Sequence, residues 1–395
     1  MSTEIIIVNW NNRRETMECL DAVTRQLAEV NGATVTVVDN GSTDGSAGAI
    51  AALYPAVKLF PLDRNRGFTG GLAAALAGSS ANYVVFLNND AVPMDGWLRS
   101  LVKAIEQAPE DVVSVGGKIV DPTATTIDFI GGILTFDGHA FQNGFRYPLG
   151  SRPEPAAGEE ILFACGGNMI SRRTALEVLG GFDDDFFAYL EDVDFGWRTW
   201  ISGGRVLFEP GAVVRHASST TSNRLGDFER GVLFERNALQ TAIKNFENLP
   251  EASGAIFYTY LRRLHHYAVT RNPAADELTR PFGTPRPARR SGFIRRALRR
   301  ILPGSSPLVA IDDPLTAMQF RAFDWIAGNE ERLGAKRSAV QQMRRRSDRE
   351  IFERFPLHVV PTYPGDAAMM HGSLFRLMQS RLPSVEAGLS EIIRP

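Results

Sequence analysis

Four short stretches carry residues whose types and spacing could do chemistry. In "YVVFLNNDAV" an apolar run ends abruptly in Asn88, Asn89 and Asp90. These could simply form a turn, since Asn and Asp are ordinary turn residues. Alternatively, Asp90 holds a cation at the open end of a sheet. In "VVDNGSTDGS", Asp39 directly follows an apolar run, with Asn40, Gly41 and Ser42 making a turn. A carboxylate there could accept the ring N–H of uracil or thymine, and the small residues let a nucleotide lie close to the backbone. A plain βα turn capped by Asp39 and Ser42 is the blander alternative. In "RNRGFTGG", Asn65 and Gly67 belong to a Gly-rich turn opening a helix, where backbone N–H groups favour phosphate. That turn is neither G-x-G-x-x-G nor a Walker A loop, which disfavours a nicotinamide enzyme or a P-loop NTPase.

The fourth stretch, "FFAYLEDVDFGWR", places Glu191, Asp192 and Asp194 where aromatic residues give way to a helix. Early helical acids favour the macrodipole, and Asp194 and Arg198 have i,i+4 spacing for a surface pair. Glu191 and Asp192 follow Phe186, Phe187, Tyr189 and Leu190, so they are placed to be partly desolvated and shifted in pKa. Their directions from a helix start differ by about 100°, which argues for separate roles. His216 closes the run "VVRH"; a lone His is most often structural, and a neutral imidazole is also a common metal ligand.

Strands and helices alternate through the first 120 residues. The expected strands are 4–8, 35–38, 57–62, 83–87 and 112–120. A helix over 12–30 puts Met17, Leu20, Val23, Leu27 and Val30 on one face, with Asn12 and Glu15 as a capping box. Short helices follow in "GSTDGSAGAI" through Leu53, in "FTGGLAAALAG" and at 96–107. Such alternation means a mostly parallel sheet covered on both faces, with ligands at the carboxyl ends of its strands. Asn9, Asp39, Asn65 and Asp90 all lie at or just beyond such ends. From about 127 the pattern turns hairpin-like, followed by a Pro/Gly/Glu-rich loop near 148–160. A strand over 161–170 interrupted by "CGGN", a helix at 173–179 and a strand at 205–208 complete this part. The chain then becomes helical. A boundary near 250 separates an expected catalytic domain, 1–250, from a mainly helical region, 251–395.

The chain has 395 residues, 44% hydrophobic and 22% charged, which is ordinary globular composition. A net charge of −2 gives no reason to expect nucleic acid. Two cysteines, Cys19 and Cys165, cannot build a disulfide framework and point to a reducing compartment. The apolar run near the N-terminus lacks a basic flank and is too short for a signal peptide, and no stretch approaches the roughly 20 apolar residues of a membrane span. A cytoplasmic protein is expected, either soluble or peripheral on the inner face of the cytoplasmic membrane.

The ordered series "IVNWNN", "VDNGSTDGS", "NRGFTGG", "FLNND", "CGGNMISRR", "GGFDDDFFAYLEDVDFGWR" and "RH" resembles the family 2 inverting glycosyltransferases of GT-A fold, closest to the bacterial rhamnosyltransferase-like branch. The resemblance covers roughly residues 3–245. It implies an α/β fold, a GT-A (Rossmann-like) mostly parallel sheet flanked by helices, with a mainly helical C-terminal region. It implies that Asp90 and His216 bind Mg²⁺ or Mn²⁺, and that Asp39 reads the donor's base. Asn9, Asn40, Ser42, Asn65, Gly67, Asn88 and Asn89 would complete the donor site. Asn88 stands where many members carry Asp, which leaves Asp90 the main anionic ligand of this motif. Cys165, Gly166, Gly167 and Asn168 would line the acceptor side. Asp192 would be the catalytic base, with Glu191 holding the acceptor.

The expected reaction is transfer of a sugar from a nucleoside-diphosphate sugar, dTDP-rhamnose in preference to UDP-galactofuranose, to a glycan or lipid-linked acceptor in bacterial surface polysaccharide synthesis. A nucleotidyltransferase would need a Gly-rich basic loop near the N-terminus, which "IIIVNWNN" does not supply. A catalytically silent nucleotide-sugar-binding module would bind without turnover. In the tail, "GFIRRALRRIL" puts Phe293, Ile294, Ala297, Leu298, Ile301 and Leu302 on one face of a helix and Arg295, Arg296, Arg299 and Arg300 on the other. A basic amphipathic helix of this kind either lies on an anionic membrane surface or packs on its own domain.

Overall fold

A computed structural model describes residues 1–217, 225–270, 313–362, 366–372, 375 and 381–394. The expected amphipathic helix at 293–302 lies outside the described residues. The first half alternates as β1 (Thr3–Asn9), α1 (Arg13–Gln26), β2 (Ala33–Asp39), α2 (Ser46–Leu53), β3 (Lys58–Pro61), α3 (Gly67–Ala77) and β4 (Tyr83–Asn88). It continues through β5 (Ala91–Pro93), α4 (Trp97–Gln107), β6 (Val112–Val120), β7 (Ile127–Phe129), and the hairpin β8 (Gly132–Leu134) with β9 (Ala140–Gln142). Then come β10 (Asn168–Arg172), α5 (Arg173–Leu179), α6 (Glu191–Ile201), β11 (Arg205–His216), α7 (Asp227–Asn245) and α8 (Leu249–Thr270).

The described residues form one large sheet in the order β3-β2-β1-β4-β10-β6-β11-β5, with β7 on β6. Strands β1 to β4 pair in parallel, as the helical crossovers between them require. Every residue of β1 is buried, as expected of a strand covered on both faces. The second half is mixed rather than parallel. β10 runs antiparallel between β4 and β6, because the chain reaches it from a long irregular excursion and not from a crossover helix. The expected strand over 161–170 is therefore only Asn168–Arg172. Conversely, β11 extends to His216, and its far end pairs with β5.

Two local expectations give way to tertiary contacts. Asn12 is the N-cap residue of α1, yet it makes no side-chain cap hydrogen bond; the Arg13 N–H donates to Asp44 Oδ2 at 3.0 Å instead. The boundary near 250 does not separate two cores. Val340, Ile351, Phe352 and Leu357 join the same apolar cluster as the sheet. Phe246, Phe352 and Trp197 pack edge to face across that boundary. The basic cluster at 344–349 also turns inward: Arg344 donates to Asp348 and to the Asn245 carbonyl, and Arg346 to the carbonyls of Gly203 and Gly204. No helix among the described residues is long and apolar enough to cross a membrane.

Candidate active site

Strand register brings the acidic residues to one edge. Asn9 lies opposite Asp39, and Val8 opposite Asn88, so the ends of β1, β2 and β4 form one crevice beside the point where strand order reverses. The amides in this crevice are largely structural. Asn9 is 0% exposed. Its Nδ2 donates to Asp39 Oδ1 (3.0 Å) and Ser46 Oγ (2.8 Å), while its Oδ1 accepts from Thr16 and Asn89. Asn9 therefore has no surface to offer a nucleotide; it aims Asp39. Asn89 is likewise buried in that network, so the donor contacts expected of both become supporting ones.

Asp39 accepts from Asn9 and, at 3.3 Å, from the Ser42 N–H. A carboxylate offers about four lone-pair sites, so capacity for a base N–H remains. Asn40 donates to Asn65 Oδ1 and the Gly67 carbonyl and accepts from the Arg66 N–H, locking the two donor-side turns together. Gly67 has φ of +77°, and a Cβ there would lie 2.4 Å from the Phe187 carbonyl oxygen, so only glycine fits.

At the end of β4, Asp90 meets His216. The pairing of Ala91 with His216 places them side by side, with Asp90 Oδ1 3.0 Å from His216 Nε2. The other ring nitrogen, Nδ1, lies 2.9 Å from Asp128 Oδ2 on β7. Burial opposes a charged imidazole, but the two carboxylates outweigh it and raise His216 to about 10. Burial would likewise raise Asp90, and His216 outweighs it to hold that carboxyl below its usual range.

In a neutral ring donating through Nδ1 to Asp128, the Nε2 lone pair would face both the Asn88 amide (3.2 Å) and the Asp90 carboxylate (3.0 Å), and a proton or a cation beside Nε2 relieves the second contact. Two ligands at right angles around an octahedral cation with bonds near 2.1 Å lie about 3.0 Å apart. A carboxylate on the far ring nitrogen is the usual support of a metal-binding histidine. The residues present thus fit a divalent cation. No three His, Cys, Asp or Glu side chains make a complete cage among the described residues. Mg²⁺-type sites commonly take one or two protein carboxylates and fill the rest with phosphate and water. Asp128 was not singled out from the sequence, where it reads as one acid between Ile127 and Phe129.

The second acidic centre begins α6. Glu191 is 7% exposed and its Oε2 lacks a hydrogen-bond partner. Burial first, then the neighbouring Asp192, raises it to about 8, so it holds its proton at neutral pH. Asp192 is less enclosed and is also raised by burial, but the N–H groups of Gly166 (3.0 Å) and Val193 (2.8 Å) favour its ionised form. Such a split between adjacent carboxyls separates a proton holder from a base. Asp194 takes no part. It is fully buried and binds Arg198, Lys244 and Asn245, so the expected pair with Arg198 forms in the core and not on the surface.

The Gly166–Gly167 dipeptide joins the two centres. Gly166 donates to Asp192, and a Cβ on Gly167 would lie 2.6 Å from the Asn88 amide. Asn168 belongs to neither. It is 0% exposed, accepts from Trp97 Nε1 at 2.7 Å and donates to the carbonyls of Lys118 and Ala212, so it latches the sheet rather than lining an acceptor site. Cys165 is a free thiol raised well above its ordinary value by burial and by Asp192, which suits packing and not nucleophilic attack.

Residues 4–180 match the sequence model of the family described as Glycosyl transferase family 2. A Mycobacterium tuberculosis protein named N-acetylglucosaminyl-diphospho-decaprenol L-rhamnosyltransferase is 28% identical over 219 residues, 50% of this chain and 71% of its own length. The pre-mycofactocin glycosyltransferase of the same species is 26% identical over 206 residues, 50% of this chain and 40% of its own length. Among solved structures, GalNAc-T7 with UDP, GalNAc and Mn²⁺ aligns at a TM-score of 0.49 and 15% identity, covering 67% of this chain and 51% of that one. Residues 4–180 thus carry the sequence pattern of glycosyl transferase family 2.

Proposed function

We propose that this glycosyltransferase is inverting and metal-dependent, and moves a sugar from a pyrimidine nucleoside-diphosphate donor to a glycan or lipid-linked acceptor. One observation carries the reading: the Gly166–Gly167 dipeptide touches Asp192 on one side and the Asn88 end of β4 on the other. A base and a diphosphate-binding edge thereby face the same small volume. Inversion needs that arrangement, with the attacking hydroxyl and leaving group on opposite faces of the anomeric carbon.

Asp90 and His216 would hold the cation, with Asp128 fixing the imidazole. A divalent cation held by these residues would supply charge neutralisation to the departing nucleoside diphosphate. Asp39 reads the pyrimidine ring N–H. Asp192, aimed by the Gly166 and Val193 N–H groups, removes the proton from the acceptor hydroxyl as its oxygen bonds to the anomeric carbon and the diphosphate leaves. Glu191, keeping its own proton, donates a hydrogen bond to the acceptor. dTDP-rhamnose is the favoured donor: Asp39 supports the pyrimidine, and the rhamnosyl group and diphospho-decaprenol acceptor in the relative's name support the sugar and a lipid-linked acceptor.

A panel of dTDP-, UDP-, GDP- and ADP-sugars, scored for nucleoside diphosphate release with and without Mn²⁺, tests this. Metal-dependent release from a pyrimidine donor is expected. A clear preference for GDP-sugars would remove the role of Asp39. Binding of nucleotide sugars with no turnover would make the chain a binding module.

A further inference from the structure

The loop that delivers Glu191 and Asp192 is held in a conformation its residues avoid by themselves. Phe187, at φ 64° and ψ −57°, centres a γ-turn of the rare positive-φ kind, closed by the Ala188 N–H on the Phe186 carbonyl at 2.7 Å. Tyr189 (φ 73°) and Leu190 (φ 62°) follow in the left-handed region, and no glycine lies between Phe186 and Glu191. Such positions persist only where the surroundings over-determine them.

Here the surroundings come mainly from one side chain of α7. Asn237 is fully buried, and its Nδ2 reaches the carbonyls of Phe186 (3.0 Å), Ala188 (2.8 Å) and Tyr189 (2.7 Å). Its Oδ1 accepts from Gln240 Nε2 (2.9 Å) and Arg236 Nε (3.1 Å), which fixes the end of the amide that faces the loop. Arg236 adds two bonds, from Nη2 to the carbonyls of Asp185 (2.6 Å) and Phe186 (2.9 Å). Carbonyls converging on one buried point need a donor there, since unpaired they would lose their hydration without compensation. α6 starts immediately after this pinned segment, with Glu191 as its first residue. Asp39 and Asp90, by contrast, take their partners from β1, β11 and the turn after β2.

We propose that Asn237, assisted by Arg236, is a positioning residue for the catalytic base, holding the γ-turn so that α6 begins where Asp192 faces the acceptor hydroxyl. This rests on the reading of Asp192 as base. Asn237 acts through the loop; Asp39, Asp90 and His216 take no partner from that loop, while the donor-side turn touches it where Gly67 packs on Phe187 and the Thr69 N–H donates to the Phe187 carbonyl.

The test is a double-mutant cycle with the donor that the wild-type enzyme turns over, with Tm recorded for every variant and assays run well below it. Asn237→Ala is expected to lower kcat about 10²-fold, the size of a 1 Å misplacement of a reacting group. Mn²⁺-dependent nucleoside diphosphate affinity should change far less than kcat, because Asp39, Asp90 and His216 take their partners elsewhere. Added to Asp192→Asn, the same change should lower the residual kcat by less than about threefold, because residues acting as one unit are not additive. Arg236→Gln removes its two bonds to the loop carbonyls and its Nε bond to Asn237 Oδ1 from a partly exposed side chain, and covers the case in which Asn237→Ala does not fold. About a tenfold loss of kcat with unchanged nucleotide affinity is expected of it, the lower part of the same scale. A wild-type kcat in the folded variant, or a full-sized loss in the Asp192→Asn background, overturns the positioning role. Wild-type turnover by Asp192→Asn alone would instead overturn the base assignment, and this inference with it.

Discussion

The donor edge and the base loop solve the same problem, holding a carboxylate still, by opposite means. At the donor edge, Asp39 and Asp90 sit at strand ends, and buried amides such as Asn9 and Asn89 tie neighbouring strands and α1 together. At the base loop, three non-glycine residues, Phe187, Tyr189 and Leu190, have positive φ, at an expected cost of about 1–3 kcal/mol each. That cost is met from outside the family-matched segment. Asn237 and Arg236 hold the carbonyls, and Lys244, Lys336 and Arg332 clamp Asp183 and Asp185 just upstream. A sheet edge positions a ligand site by regular pairing, whereas a strained loop needs a second layer to hold it. The helix Glu330–Gln342 supplies part of that layer through Arg332 and Lys336.

The largest expected effect separates the two regions by removing the cation. Exhaustive chelation should abolish transfer and metal-dependent nucleotide binding while leaving Tm of the free protein unchanged, because the base loop owes nothing to the metal. Full activity after chelation would break the comparison at its donor side. Next in size is Asp128→Asn. It keeps the shape beside His216 Nδ1 but weakens its acceptor, and loss of such outer support costs about 10–100-fold in metal affinity. Titration with Mn²⁺ reads this directly, and an unchanged affinity would reduce Asp128 to packing.

The smallest effect belongs to the base loop. Glu191 ionises near pH 4.5 in an unfolded chain and near 8 when folded, so between those values the folded state holds more protons than the unfolded state. Stability from this group is present at low pH and is lost as pH rises towards 8. Glu191→Gln should therefore raise Tm at pH 8 by about 2 °C or more and flatten its decline from pH 5 to 8. The same substitution should act mainly on acceptor KM. A Tm that falls on Glu191→Gln at pH 8 would mean the carboxylate is favourably paired.

What the sequence disclosed follows the range of the interactions. The strand-end placement of Asp39 and Asp90 was legible because strand, carboxylate and turn are local patterns. The meeting of Asp90 with His216 depends on β5 pairing with the far end of β11, which no local pattern announces. Asn237 reads as an ordinary mid-helix amide, since the carbonyls it holds come from a loop some 50 residues away. Asn9 and Asn168 were placed in the right neighbourhood but given the wrong face, because a strand end does not reveal whether an amide points at a ligand or at the next strand. The expected strand over 161–170 failed where Gly166 turns its N–H to the Asp192 carboxylate instead of to a neighbouring strand.

The central claim is a division of labour: one edge binds donor and cation, and a separately supported loop supplies the base. Asp90→Ala and Asp192→Asn, compared for turnover and for Mn²⁺-dependent binding of the donor's nucleoside diphosphate, test it most directly. Both should lose turnover, Asp192→Asn by at least about 10²-fold. Only Asp90→Ala should lose metal-dependent binding. If Asp192→Asn keeps near wild-type turnover, or loses nucleotide binding as fully as Asp90→Ala, the two regions do not divide the work in this way.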